Sequence, residues 1–70
     1  MENMMNLKWV DIQEIVDELD AKYPEVNPLQ INFKELYDWI LALEDFDDDP
    51  KHCGERILEA VQQTWIEERQ

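Results

Sequence analysis

Apolar residues recur along this chain in three helical stripes. Ile12, Ile15, Val16, Leu19 and Tyr23 stand at spacings of i, i+3, i+4, i+7 and i+11, which places them on one face of a helix. Phe33, Leu36, Tyr37, Ile40 and Leu43 make a second stripe, and Ile57, Leu58, Val61 and Trp65 a third. Local signals set the boundaries. The first helix is predicted to start just after Asp11, because Asp11 and Glu14 have capping-box spacing. It should stop before Pro24, since proline lacks an amide donor and restricts Tyr23. Glu18 and Lys22 are spaced for an i,i+4 ion pair. The second helix is expected from Lys34 or Glu35 to Leu43 or Glu44, with Asn32 as its cap and Glu35 as the reciprocal partner. The third is clearest from Glu55 to Glu67, and Gly54, which costs about 1 kcal/mol relative to alanine inside a helix, marks its start. Glu55 and Glu59 suit its positive N-terminal half and Arg69 its C-terminal end.

The intervening segments are less regular. Leu7, Trp9 and Val10 supply an alternating or capping apolar contact. Ile31 and Phe33 alternate across Asn32, as in one short strand or a tethering segment, and the only nearby pairing partner is Leu7 to Trp9. The whole predicts a mainly α, small three-helix domain over residues 7–68 with at most short β segments, preceded by residues 1–6 as a flexible lead-in. Its expected core is Trp9, Ile15, Leu19, Leu36, Ile40, Ile57, Val61 and Trp65, with Trp39 at the edge, Ile66 partly exposed, and Phe46 read as a packing residue. A 70-residue chain buries little surface, so its stability margin is on the order of 3 to 5 kcal/mol.

Charge sharpens this picture. Eighteen acids against six lysines and arginines give a formal net charge of -12, which repels phosphates and excludes nucleic acid as a natural ligand. The 44% of hydrophobic residues and three tryptophans argue for a folded chain. No apolar run approaches the ~20 residues of a membrane span, and MENMMNLKW has neither a basic n-region nor an apolar h-region. One cysteine, Cys53, excludes an intrachain disulfide and fits a reducing compartment. The expected location is therefore the cytoplasm.

The stretch LEDFDDDP, Leu43 to Pro50, organises the rest. Glu44, Asp45, Asp47, Asp48 and Asp49 crowd carboxylates between two helices, and their charge must face water, cations or a basic partner. Three readings follow: a solvated loop, a docking surface for a basic protein, or a site for hard cations such as magnesium, calcium, manganese or weakly held iron. EF-hand spacing is absent, with no glycine at the central turn. His52 and Cys53 are adjacent, yet two ligands fall short of a zinc site, and no orienting acid or oxyanion pocket can be assigned around them. Asp17 with Asp20, or Asp45 with Asp49, can be drawn together by helical spacing, as surface acids commonly are. A metal-dependent hydrolase is the enzymatic alternative, disfavoured by the missing nucleophilic and phosphate-binding motifs. An acidic adaptor or regulator is the stronger reading.

Taken in order, LKW at Leu7 to Trp9, YP at Tyr23 and Pro24, Phe33, WI at Trp39 and Ile40, LEDFDDDP, and ILEAV at Ile57 to Val61 followed by Trp65 closely resemble the IscX family of small bacterial iron–sulfur assembly proteins. The resemblance spans Leu7 to about Glu67. It implies a small helical domain of winged-helix-like architecture and a non-enzymatic partner of a cysteine desulfurase, modulating that enzyme and competing with other iron–sulfur assembly proteins at its basic surface. It also implies weak iron binding with no tightly bound cofactor, and an iron donor or chaperone role is the alternative. Carried over residue by residue, Glu44, Asp45, Asp47, Asp48 and Asp49 are the implied positions for both desulfurase contact and weak iron binding, extended by the acids of the first helix. Asn27 stands where the resemblance implies an acid, which removes one oxygen ligand of negative charge. Lys34 near the second helix cap and Cys53-Gly54 before the third also depart from the family pattern.

Overall fold

The computed structural model describes residues 7–70, and the expected lead-in, residues 1–6, lies outside the described residues. Among the described residues there are three helices, α1 over Ile12–Lys22, α2 over Phe33–Leu41 and α3 over Glu55–Glu68, with a 3-10 turn at Pro50–His52 before α3. The mainly α, three-helix expectation is met. The longest helix, α3, packs most extensively against α1, and α2 closes the remaining side. Leucines, isoleucines and valines from all three helices fill the space between them, with Trp9 and Trp65 as the largest buried side chains.

Several local expectations change. Asp11 precedes α1 but its carboxylate accepts the Lys8 N–H (2.9 Å) instead of capping the helix, so the Asp11–Glu14 capping box does not form. Asn32 does cap α2, its side chain accepting the Glu35 N–H at 2.8 Å. The helix therefore begins at Phe33, which belongs to no strand, while Ile31 tethers the preceding segment by burying its side chain. At the other end α2 stops at Leu41, two to three residues early, as the Leu43 N–H turns back to the Ile40 carbonyl (3.1 Å). Leu7 does pair with another segment, through an isolated parallel bridge to Phe46 in the acidic turn, and Ile31 is not its partner. Ile57 is half-buried and packs against the core; Leu58 on the same helix is the buried residue. Trp39 lies at the edge as expected, stacked on Tyr23 with ring centroids 4.4 Å apart.

Arg69 acts across the fold. Expected to offset the α3 dipole, its guanidinium instead reaches the far end of α1, donating to Asp20, to the Val26 carbonyl (2.8 Å) and to the Tyr23 carbonyl (3.2 Å). Asp20 also accepts the Trp65 indole N–H at 3.2 Å, and the Arg69 guanidinium lies 5.6 Å from the Trp65 ring centre. The Trp65 side chain is 0% exposed, so its burial and its polar tip are satisfied by one clamp. Trp65→Ala is expected to destabilise the domain by about 3 to 5 kcal/mol, the range for emptying a large aromatic site. Urea denaturation measures it, and a loss near zero with an unchanged transition slope would remove Trp65 from the principal core.

Candidate functional site

The acidic turn is held in place by the segment that precedes α1. Leu7 exchanges two backbone bonds with it, its N–H donating to the Asp45 carbonyl (2.8 Å) and its carbonyl accepting the Asp47 N–H (2.9 Å). The Lys8 ammonium donates to the Asp47 carbonyl. Trp9 supplies two more bonds: its backbone N–H to an Asp48 carboxylate oxygen (3.0 Å) and its indole N–H to the Asp49 carbonyl (2.8 Å). Phe46 meets the Trp9 ring edge to face, centroids 4.6 Å apart at 67°. The one apolar residue among the acids is thus the turn's anchor in the core.

This arrangement divides the five predicted carboxylates. Asp48 is only 18% exposed; besides the Trp9 N–H it accepts the Asp49 N–H (2.7 Å) and lies 3.3 Å from His52 Nδ1. Asp49 accepts the Lys51 N–H at 2.9 Å and so caps the 3-10 turn that Pro50 opens. Both are engaged in shaping the chain. Glu44 and Asp47 are exposed, and Asp45 is half-buried beside α1. There Asp45 hydrogen-bonds to Glu18, and among the described residues no ion pair joins Glu18 to Lys22. A groove of about 440 Å³ runs along this junction, lined by Asp17, Glu18, Ala21, Lys22, Leu43, Glu44 and Asp45.

The electrostatics follow from these contacts. The Trp9 N–H holds the Asp48 carboxyl below the usual aspartate range, against the opposing effect of burial, with the Asp49 N–H and His52 adding to it. Burial pushes the Glu18 carboxyl up, and its neighbour Asp45 pushes it further. At the opposite end Arg69 and then the Trp65 indole lower Asp20. Cys53 places its thiol 3.6 Å from the Gly54 carbonyl, and burial raises its pKa, the reverse of what activates a nucleophile. His52 faces Asp48 and Asp49 instead. Asn27, where the resemblance led to an acid, accepts the Leu29 N–H at 3.0 Å and shapes its own turn. Among the described residues, no three histidine, cysteine or acidic side chains converge in a way that could hold a metal ion. No described helix is long and apolar enough to cross a membrane.

Sequence reading located the carboxylates, with the acids of the first helix as their extension, but missed Lys8 and Trp9 as parts of the same site. Lys8 and Trp9 lie about 40 positions from the residues they hold, beyond the reach of any local periodicity.

Opposite pH dependences are expected. The lowered Asp48 contributes stability above the unfolded aspartate value of about 3.9, and this is lost as pH falls through its folded value. The raised Glu18 contributes below the unfolded glutamate value of about 4.3 and loses that contribution as pH rises through its folded value. Asp48→Asn should therefore lower the urea midpoint at neutral pH and approach the parent on acidification. Glu18→Gln should raise the neutral midpoint, with the gain shrinking below about pH 4. Denaturation from pH 3 to 7 checks both signs.

A family model described as iron–sulphur cluster assembly matches residues 7–70. An uncharacterized protein of Pseudomonas aeruginosa is 51% identical over 65 residues, which cover 93% of this chain and 98% of that protein.

Proposed function

This chain belongs to the IscX family of iron–sulphur cluster assembly proteins, and from that premise we propose that it is a non-catalytic accessory protein that binds a cysteine desulfurase through its acidic turn. The observation that carries the reading is the exposure of Glu44 and Asp47, with Asp45 half-buried beside them, on a turn whose backbone is already fixed by Leu7, Lys8 and Trp9. A fixed array of like charges attracts a basic partner over a Debye length and presents one shape on contact. The net charge of -12 adds long-range steering. Such binding modulates the desulfurase and competes with other acidic assembly proteins for its basic surface. The setting is the reducing cytoplasm.

Iron enters this reading as weakly held cargo. Hard carboxylate oxygens suit it, and Glu44 and Asp47 stand exposed on the turn, while Asp45 would join by exchanging its bond to Glu18. Asp48 and Asp49 join only by exchanging bonds they already make to Trp9, Lys51 and each other. The alternative of an iron donor rests on the same carboxylates and adds productive transfer.

Two measurements test the proposal. Replacing Glu44 with Gln and Asp47 with Asn together should slow association with cysteine desulfurase about three- to tenfold at low salt, with the difference closing as salt rises and circular dichroism unchanged. Surface plasmon resonance across a salt series reads it, and an unaltered association rate at low salt contradicts acidic-turn docking. Calorimetry with ferrous iron on the metal-free protein should give weak binding that magnesium or manganese competes away. Tight, iron-selective binding required for folding is the opposite outcome.

A further inference from the structure

Resting on the acidic-turn reading above, we propose that Lys8 and Trp9 are positioning residues for docking: they set the shape in which the turn meets its basic partner, although neither brings it a negative charge. Three successive residues, Leu7, Lys8 and Trp9, fasten the turn at Asp45, Asp47, Asp48 and Asp49 in register. Both backbone polar groups of Asp47 are taken by this strap, its N–H by the Leu7 carbonyl at 2.9 Å and its carbonyl by the Lys8 ammonium. The exposed Asp47 carboxylate is therefore carried on backbone held from both sides. The Trp9 indole does the same for the Asp49 carbonyl at 2.8 Å, and its ring cannot drift because it is 1% exposed, between Tyr37 and Phe46.

Lys8 makes the inference decidable. Its ammonium has the wrong sign for a surface that recruits a basic protein. If only the sum of charge mattered, removing it would strengthen docking. If the ammonium holds the Asp47 carbonyl in place, removing it weakens docking while the net charge becomes more negative. Trp9 gives the complementary case, since Trp9→Phe deletes an N–H donor and leaves every charge unchanged. Loss of shape without loss of charge should appear in the dissociation rate and leave the salt dependence of association intact.

The experiment measures purified cysteine desulfurase binding to the full chain by surface plasmon resonance at low and high salt, for Lys8→Gln, Lys8→Arg, Trp9→Phe and the paired Glu44→Gln, Asp47→Asn variant. Lys8→Gln should dissociate about three- to tenfold faster than the parent, Lys8→Arg should restore the parent rate, and Trp9→Phe should dissociate faster with an unchanged salt slope. Amide resonances of residues 45–49 should shift in Lys8→Gln while those of α3 stay. Lys8→Gln lies on the surface, so it decides the matter even if Trp9→Phe fails to fold. Parent-like or tighter binding by Lys8→Gln overturns the proposal. If the paired acidic variant weakens binding while Lys8→Gln and Trp9→Phe bind as the parent does, only the positioning role fails. If the paired acidic variant binds as the parent does, the docking reading fails and the positioning role with it.

Discussion

Trp9 must satisfy two demands at once, and the rest of the structure is arranged around them. Its ring is buried between Tyr37, stacked at 6.0 Å, and Phe46, edge-on at 4.6 Å, which supplies much of the apolar area a small domain needs. Its indole and backbone N–H groups cannot be left without acceptors in that environment. The acidic turn provides both, a carbonyl at Asp49 and a carboxylate at Asp48. Meeting these acceptors fixes where α2 ends, where the 3-10 turn starts and how the carboxylates around Phe46 are distributed. The charge that faces outward is a consequence of how the core is closed.

The same economy recurs at the other end of the molecule. The Trp65 indole donates to Asp20, which Arg69 also holds while bridging to the Tyr23 and Val26 carbonyls. Each buried tryptophan is thus completed by an aspartate, through its carbonyl at Asp49 and its carboxylate at Asp20. A chain with eighteen acids folds because some of them act as acceptors for backbone and indole donors. Self-repulsion persists where two carboxyl groups share one site, as at Glu18, whose pKa is raised by burial and then by its hydrogen-bonded neighbour Asp45. That residual negative field is what a basic partner would relieve.

The helices were legible because their information is local. The stripe at Ile12, Ile15, Val16 and Leu19 marks α1 directly, and Asn32 with the residues after it marks the α2 start, with Phe33, read both on the helical stripe and in a short extended segment, already helical. The missed features are set by contacts between distant positions. Asp11 has the spacing of a cap but spends its carboxylate on Lys8, and α2 stops at Leu41 because the chain must turn to bring Phe46 against Trp9. Composition identified the acidic cluster without separating Asp48 and Asp49, which shape the turn, from Glu44 and Asp47, which are exposed. The long-range bond from Trp9 draws that distinction for Asp48, and the local bond from Lys51 draws it for Asp49.

The central claim is that the turn is held from within by Trp9 and meets its partner with the face that carries Glu44, Asp45 and Asp47. Resonance mapping of isotope-labelled protein during titration with unlabelled cysteine desulfurase tests it most directly. The account predicts line broadening centred on the amides of Glu44, Asp45 and Asp47 and the neighbouring Glu18, with α3 positions Arg56, Glu59 and Gln63 unaffected and the Trp9 indole resonance retained at its free position. Broadening centred on the outer face of α3, with the acidic turn unperturbed, would contradict it.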